Sequence, residues 1–479
     1  MTLIRDLWNP ATRRNFAIAL LLGLLLRLYF VFYLPMFDID TVMYEALGHN
    51  IVLHHAYAYL KGQTLVPTDV RVPGYPLFIS VIYIFFGNSQ RAILVAQAFV
   101  DLGTCVLISI LAASLAPERS RTRVAIAAVW LAATCPFVAN YTASALTEVL
   151  ATLFSAAALL VLVWADQSEP GPGGAARKPG SWRLWFFGGV IVGLGSLVRP
   201  ETPIMLAAPA LVLAVRWCKP SDWARLVRTG LLLAVGLLTP LLPWAARNWI
   251  TLHEVQFLTA RYIDMPGSYI PVGFYAWTHT WMVSYADVDN VLNRLEHEPI
   301  NITDFPSYAF DSAEERTRVE TLLVDQHQNS FVFSPAADAQ FAELARERTA
   351  RDPLRTYVSV PLRRGLTLWF TPRTEMLPYE GQWWPPIRPW SEYDMDFAVG
   401  LLFTMLNYFY AGLALAGAYL MRKQRGVALL VVFIIVRTAF IAIEHFTVEP
   451  RFVLPCVPAV LALAALVWAR RSPGEMHSV

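Results

Sequence analysis

Residues 16–40 read FAIALLLGLLLRLYFVFYLPMFDID, an apolar run followed at once by two aspartates, Asp38 and Asp40. A helix needs roughly 17–25 mostly apolar residues to cross the hydrocarbon core of a bilayer, and residues 16–35 meet that requirement. No small-residue cleavage site follows the run, so it is predicted to be a retained span rather than a signal peptide. The two aspartates are therefore expected at a membrane boundary.

The composition of the whole chain favours a membrane protein. Of its 479 residues, 56% are hydrophobic and 15% are charged, and the mean hydropathy is +0.45. A soluble domain usually carries about 25% charged residues. The net charge of +2 is small, and no Lys/Arg run with interleaved aromatic residues occurs, so no nucleic-acid partner is predicted.

The cysteines and histidines do not predict a structural metal or a disulfide framework. Cys105, Cys135, Cys218 and Cys456 each lie in or beside an apolar segment, and none shows CxxC spacing. The histidines are scattered and form no HExxH motif. No metal-binding residues are predicted from the pattern.

Apolar runs recur along the chain and predict an all-α polytopic membrane protein with a bundle of about ten transmembrane helices. The predicted spans are 16–35, 90–116, 123–139, 144–165, 182–198, 201–217, 227–246, 397–421, 427–446 and 452–469. Tyr75–Phe86 is too short for a comfortable span and is predicted to be an interfacial helix. In the long polar segment, Ser334-Pro335 predicts a helix start, and Tyr357–Phe370 has apolar residues at helical spacing that predict a helix lying on the membrane.

The basic residues predict the orientation. Every second connection between the predicted spans carries clustered Arg or Lys, and such connections face the cytoplasm. Both termini are then cytoplasmic. Three regions follow: an N-terminal transmembrane module, 1–246, with a first outer loop, 36–89, that contains Asp38 and Asp40; a mainly helical extracytoplasmic segment, 247–396; and a C-terminal transmembrane module, 397–479.

Asp38 and Asp40 have two interpretations. Each can be a solvated acid that caps the helix beginning near Thr41. Alternatively, one of them is a general base that deprotonates an acceptor hydroxyl, or the pair shares a cation. A base at a membrane face suits a reaction between a lipid-borne donor and another lipid or a surface polymer.

Six short motifs follow in a fixed order. They are Asp40-Thr41-Val42-Met43-Tyr44, Arg71-Val72-Pro73-Gly74-Tyr75-Pro76, Ser144-Ala145-Leu146-Thr147-Glu148, Arg199-Pro200-Glu201, Pro243-Trp244-Ala245-Ala246-Arg247-Asn248 and Glu449-Pro450-Arg451-Phe452. Together they resemble the GT-C glycosyltransferases that use polyprenyl-phosphate sugars: protein O-mannosyltransferases, lipid A aminoarabinose transferases and the bacterial RgtA/B/C/D-like group. Val72 replaces a usual Pro, and residues 41–43 depart from the family's small-residue spacing, but neither departure removes a chemical group.

The resemblance implies roles for individual residues. Asp40 is favoured as the catalytic base over Asp38 because it precedes Tyr44 by four residues, as in the family pattern. The implied donor-phosphate ligands are Arg71, Arg199, Arg247 and Arg451. The implied substrate contacts are Tyr44, Tyr75, Glu148 and Glu201.

The boundary arginines also have a simpler explanation. Their side chains can reach lipid phosphates from the membrane edge without taking part in catalysis. As donor ligands, they would offer the phosphate a planar fork of N–H groups and stabilise it as it leaves. Arg437 lies inside an apolar run, where it is expected either to pair with Glu444 on the same helix or to face the cavity.

The implied activity is an inverting transfer of a sugar from a polyprenyl-phosphate carrier to a lipid, glycan or protein acceptor on the periplasmic face of a bacterial inner membrane. No cofactor is required, and a divalent cation is compatible with the chemistry. The alternatives are a glycolipid flippase or transporter, and a polysaccharide polymerase or ligase with a diphosphate-linked donor. Acceptor choice is expected to depend on residues 248–396, including the tryptophans Trp383, Trp384 and Trp390.

Overall fold

The structure is a computed structural model and describes residues 10–169, 181–259, 269–295, 297–377 and 394–469. The first half of the chain contains α1 (Pro10–Tyr33), α2 (Ile39–His54), α3 (Gly74–Phe86), α4 (Gln90–Leu115), α5 (Arg121–Ala133), α6 (Pro136–Ala139), α7 (Glu148–Ser168), α8 (Ser181–Ser196), α9 (Ala207–Arg216) and α10 (Trp223–Leu252). The second half contains α11 (Val272–His279), α12 (Tyr285–Asp287), α13 (Ala313–Gln328), α14 (Pro335–Arg351), α15 (Val360–Trp369), α16 (Asp394–Leu420), α17 (Val427–Glu444) and α18 (Val457–Ala465). One antiparallel hairpin, β1 (Ala58–Lys61) and β2 (Thr64–Pro67), lies between α2 and α3. The predicted all-α polytopic fold is confirmed.

Within the described ranges, seven helices are long and apolar enough to cross a membrane, or eight if the bent pair Glu118–Ala133 and Pro136–Ala143 counts as one span. The predicted number of about ten is not confirmed. The difference lies mainly at 182–198 and 201–217, which the break at Arg199-Pro200-Glu201 divides. At 1.5 Å per residue, the 16 residues of α8 span about 24 Å, less than a hydrocarbon core of about 30 Å.

Two predicted local features are present. Residues 74–86 form the short helix α3, and α14 begins at Pro335 and ends at Arg351. The hydroxyl of Ser334 accepts a hydrogen bond from the backbone N–H of Ala337, as expected of a helix cap followed by proline. The segment between the transmembrane modules is mainly helical where it is described. The tryptophans at 383, 384 and 390 lie outside the described residues.

The α8 and α10 helices cross at glycines. A methyl group built on Gly236 would lie 2.2 Å from the carbonyl oxygen of Phe186, and one on Gly189 would lie 2.3 Å from that of Leu233. Backbones this close leave no room for a side chain, which is how small residues bring membrane helices together.

We expect Gly236→Ala to reduce stability in detergent by about 1–3 kcal/mol, because the added methyl group forces the two helices apart. Gly230→Ala is the matched control, since it lies in the same helix with nothing within 4 Å of the added carbon. The control should leave the melting temperature unchanged or raise it slightly. Equal melting temperatures for the two variants would contradict the tight crossing.

The helical segment 272–369, named the outer segment after its predicted side of the membrane, packs directly on the helix bundle. Its core, built around Trp277 and Phe341, continues into Ile441 and Phe452 of the C-terminal module. Arg364 of α15 is fully buried at this contact. Its guanidinium donates to the carbonyl oxygen of Met282 (2.7 Å) in the outer segment and to that of His445 (3.0 Å) in the bundle. These bonds hold the outer segment against the membrane module close to Arg451.

Candidate active site

Asp38 and Asp40 start α2, and their different positions give them different partners. Asp38 is the N-cap residue, and its Oδ1 accepts a hydrogen bond from the backbone N–H of Asp40 (2.9 Å). The capping interpretation is thus correct for Asp38. Asp40 lies in the first turn of the helix, and its carboxylate is directed to two arginines.

Arg71 approaches Asp40 from the loop after the hairpin. Its Nη2 lies 2.5 Å from Asp40 Oδ1, and its guanidinium lies 5.5 Å from the centre of the Tyr44 ring. Arg71 is only 6% exposed, yet its Nε and Nη1 have no hydrogen-bond partner among the described residues. Buried N–H groups without partners cost about 1–3 kcal/mol each. Arg71 is therefore equipped to bind oxygens of a ligand.

Arg451 reaches the same carboxylates from the far end of the sequence. Its Nη1 lies 3.3 Å from Asp38 Oδ2, and its Nη2 lies 4.0 Å from Asp40 Oδ2. Its Nε forms an ion pair with Glu449, which accepts a hydrogen bond from the Thr447 hydroxyl (3.1 Å). One arginine thus connects both aspartates to the loop that precedes α18.

Arg199 and Arg437 form a neighbouring ion-pair network. Arg199 donates to Glu148 (2.8 Å) through Nη1 and to Glu201 (2.7 Å) through Nε. Arg437 adds a contact of 3.2 Å to Glu201 and donates to the carbonyl oxygen of Phe452. Burial favours the neutral form of Glu201, but the charges of Arg199 and Arg437 outweigh it and lower the pKa of this carboxyl to about 2. Glu201 is therefore a fixed negative charge between two arginines.

This network decides between the two expectations for Arg437. The side chain faces the site and pairs with Glu201, which is 236 residues away in sequence. A carboxylate from another segment, rather than one on the same helix, thus compensates its buried charge. Phe452 lies beside this network and also below the guanidinium of Arg199, with 5.4 Å between the guanidinium and the ring centre.

Arg247 lies on the other side of the hairpin from Asp40. Its guanidinium donates to the carbonyl oxygens of Thr68 (2.7 Å) and Tyr57 (2.6 Å), and it stacks 5.1 Å from the Trp244 ring. The Tyr57 hydroxyl in turn donates to the carbonyl oxygen of Arg71 (2.8 Å). Arg247 thus connects the hairpin to α10, and Tyr57 connects the hairpin to the backbone of Arg71, which faces Asp40.

A groove of about 770 Å³ opens beside Arg247. It runs between α10 and the segment 51–77. Its apolar lining includes Ile51, Leu77, Leu197, Pro240, Pro243 and Trp244. Pro73, two residues after Arg71, lines the same groove. A mainly apolar groove with one arginine in its lining therefore reaches the loop that carries Arg71.

Tyr44 and Tyr75 support this site by packing. Their rings meet edge to face with centroids 5.1 Å apart, and the Tyr75 hydroxyl donates to Gln97 (2.7 Å). Tyr75 is fully buried, so it fixes α3 on the bundle. At the start of that helix, the N–H of Gly74 donates to the carbonyl oxygen of Leu197 (2.6 Å).

Three further polar groups near the aspartates, Tyr59, Glu375 and Glu449, were not predicted to be site residues. Tyr59 has a buried hydroxyl without a partner in the described part of the chain, and burial raises its pKa to about 12. Glu375 accepts a hydrogen bond from Tyr141 (2.9 Å), and burial raises the pKa of its carboxyl. Glu449 was visible as part of a motif, but Tyr59 and Glu375 lie in segments without a recognisable pattern.

The described residues contain no group of three or more His, Cys, Asp or Glu side chains arranged to hold a metal ion. The carboxylates of Asp38, Asp40 and Glu449 each face an arginine instead. A divalent cation at this place would have to share these carboxylates with Arg71 and Arg451.

Comparison with known proteins gives one family match and one class of fold match. The sequence model of the family described as dolichyl-phosphate-mannose-protein mannosyltransferase matches residues 70–244. The fold is similar to that of the Archaeoglobus fulgidus oligosaccharyltransferase tethered with an acceptor peptide, with a TM-score of 0.51, 16% identity, and 96% of this chain and 49% of that chain covered.

Further structures of the archaeal enzyme give similar values. The apo form has a TM-score of 0.49 at 14% identity, covering 97% of this chain and 50% of that one. The complex of AglB from Archaeoglobus fulgidus with an inhibitory peptide and a dolichol-phosphate has a TM-score of 0.47 at 15% identity, covering 94% of this chain and 50% of that one. The chain thus spans about half the length of these enzymes. No curated protein sequence matches it.

Proposed function

We propose that this chain is a GT-C glycosyltransferase, which transfers a sugar from a polyprenyl-phosphate carrier to an acceptor hydroxyl with inversion at the anomeric carbon. The acceptor is an envelope glycolipid, glycan or protein. The family matched by residues 70–244 is named for a dolichyl-phosphate-linked donor and a protein acceptor. The observation that carries the proposal is the meeting of Asp40 with Arg71 and Arg451, which come from three separate parts of the chain.

The two arginines suit the phosphate of the donor. Arg71 has two buried N–H groups without partners among the described residues, and Arg451 lies on the opposite side of the Asp40 carboxylate. A planar guanidinium offers paired N–H groups to phosphate oxygens. In contrast, Arg199 holds two glutamates at 2.8 and 2.7 Å, and Arg247 donates to two backbone carbonyls. The terminal nitrogens of Arg451 lie farther from their aspartates, at 3.3 and 4.0 Å. We assign the phosphate primarily to Arg71 and Arg451, with Arg199 and Arg247 holding the surrounding segments.

The groove beside Arg247 suits the isoprenoid chain of the donor. Its lining is mainly apolar, with Arg247, His55 and Thr251 as its polar side chains besides Tyr57, and Pro73 connects it to the loop that carries Arg71. Transfer of an isoprenoid from water to such a groove is favourable because apolar area is buried. The carrier would then lie in the groove with its phosphate directed past Tyr57 toward Arg71.

The proposed step is a direct displacement. Asp40 accepts the proton of the acceptor hydroxyl, whose oxygen forms a bond to the anomeric carbon. The bond from that carbon to the phosphate oxygen breaks on the opposite face, and the electron pair leaves with the polyprenyl phosphate. Arg71 and Arg451 stabilise the charge that develops on the phosphate. Asp38 orients Asp40 through the N-cap bond and holds Arg451 in place.

We place the reaction on the periplasmic face of a bacterial inner membrane, with both chain termini in the cytoplasm. The alternation of basic and non-basic connections supports this orientation. The described helical part of the predicted extracytoplasmic segment, residues 272–369, would then cover the acceptor side, since it packs on the bundle beside Arg451.

The test uses purified full-length protein in liposomes with a synthetic polyprenyl-phosphate hexose and candidate acceptors. We expect one polyprenyl monophosphate to be released for each sugar transferred, with an inverted anomeric linkage in the product. Mass spectrometry counts the products, and NMR reads the linkage. A parallel assay with a chelator tests whether the transfer needs a divalent cation.

Two results would contradict the proposal. Movement of the donor across the bilayer without release of polyprenyl phosphate would indicate a transporter. Consumption of only diphosphate-linked glycans would indicate a polymerase or ligase. The control variant Glu320→Gln should transfer sugar at the rate of the original protein, because this exposed residue of α13 lies outside the proposed site.

A further inference from the structure

The outer segment carries an exposed apolar face on the helical stretch 354–370. This stretch joins a wide turn, Arg355–Ser359, to α15. Its outward side chains are Leu354, Tyr357, Val358, Leu362, Leu366 and Phe370, each between 50% and 74% exposed. The opposite face is buried and includes Arg364 and Leu368. So large an exposed apolar surface on one side of a helix indicates a partner.

The position of α15 indicates its depth. The Trp369 indole donates to the Thr438 hydroxyl of α17 (2.8 Å), and Gly365 lies against the same threonine. The 18 residues of α17 span about 27 Å, so its ends lie close to the boundaries of a core of about 30 Å. Thr438 is six residues before Glu444, which places it about 9 Å inside that end.

The exposed face of α15 continues the surface of the neighbouring spans. Phe370 packs edge to face on Tyr408 of α16, with ring centroids 5.6 Å apart. Tyr408 is itself 48% exposed, and Ile435 of α17 is 60% exposed. As membrane spans, α16 and α17 would present these side chains to lipid, and the end of α15 contacts both, through Thr438 of α17 and Tyr408 of α16. The exposed Arg363 beside this face can reach lipid phosphates.

We propose that residues 354–370 form a monotopic helix that inserts its apolar face into the acyl chains of the bilayer leaflet on the active-site side. The stretch lies in the plane of the leaflet and does not cross it. Its buried face holds Arg364, whose bonds to Met282 and His445 connect the outer segment to the bundle. Insertion therefore fixes the outer segment against both the lipid and the bundle.

The test is depth-dependent fluorescence quenching in the full-length protein. Among the described cysteines, Cys218 is exposed and the other three are buried, so Cys218→Ser provides the background. An environment-sensitive NBD label is placed in Leu362→Cys or, independently, in Leu366→Cys. The label is read in phosphatidylcholine–phosphatidylglycerol vesicles with lipids that carry a nitroxide in the acyl chain. Leu415→Cys on α16 is the lipid-facing reference, and Glu320→Cys on α13 is the aqueous reference.

We expect labels at 362 and 366 to be quenched nearly as strongly as the label at 415, and several-fold more than the label at 320. Only samples that elute like the unlabelled protein are read. Quenching at 362 and 366 no stronger than at 320 would overturn the proposal. Self-quenching between labelled copies, without quenching by the lipid nitroxides, would also overturn it and would identify the face as a contact between two chains.

Discussion

Replacing Asp40 with Asn is expected to slow sugar transfer by about 10²–10⁴-fold while the protein remains folded, because the amide cannot accept the proton of the acceptor hydroxyl. The side chains have the same shape, so the loop and its contact with Arg71 are retained in outline. The loss should appear in kcat rather than KM, since the proton moves only during the chemical step. The measurement is the rate of polyprenyl-phosphate release in liposomes at saturating donor.

Asp38→Asn is the matched comparison. Asparagine also caps helices, so the bond to the N–H of Asp40 is preserved and only the charge that faces Arg451 is lost. We expect a much smaller loss of rate than for Asp40→Asn. Unchanged transfer in the Asp40 variant would exclude this residue as the base. A severe loss in the Asp38 variant alone would exchange the two roles.

Replacing Asp101 with Leu is expected to destabilise the bundle by about 3–5 kcal/mol, because it leaves the buried cation of Arg27 without its counter-charge. Arg27 of α1 and Asp101 of α4 are 0% and 1% exposed, and Arg27 Nε lies 2.7 Å from Asp101 Oδ2. The guanidinium also donates to the carbonyl oxygens of Gly23 and Ala133, at 2.8 Å each. The measurement is the melting temperature in detergent micelles.

The double variant Arg27→Met/Asp101→Leu is the control for this ion pair. A well-packed apolar pair often replaces a buried ion pair without loss of stability, so the double variant should recover most of the melting temperature. Its rate of transfer per folded molecule should equal that of the original protein, since the pair lies among α1, α4 and α5 rather than beside Asp40. A double variant as unstable as Asp101→Leu would contradict this account. A folded double variant without activity would give the pair a functional role.

Arg27 and Asp101 also show what sequence reading can recover. Both lie inside predicted spans, and opposite charges inside spans are expected to pair. The predicted spans 16–35 and 90–116 therefore contain a signal for this ion pair. Arg437 carries the same signal, but the sequence does not reveal which carboxylate it meets. The carboxylate that pairs with Arg437 depends on the rotation of α17 about its axis and on where the turn that contains Glu201 packs.

The number of spans could not be obtained from hydropathy alone. Pro136 and Pro200 mark breaks that are visible in the sequence, because proline cannot continue the hydrogen bonds of a helix. Hydropathy does not show whether the short pieces beside such breaks cross a membrane or pack inside the bundle. The 16-residue helix α8, tightly packed on α10, is one such short piece.

The sequence by itself determined the apolar helices, the α14 cap at Ser334 and the presence of two aspartates directly after the first span. These features depend on residues close together in the chain, whose hydropathy and hydrogen bonding act locally. Only the tertiary structure decided that Arg451 meets Asp38, 413 residues away, and that Arg71 faces Asp40 with two N–H groups lacking partners in the described chain. Such contacts depend on how the helices pack and turn against one another, which no local pattern specifies.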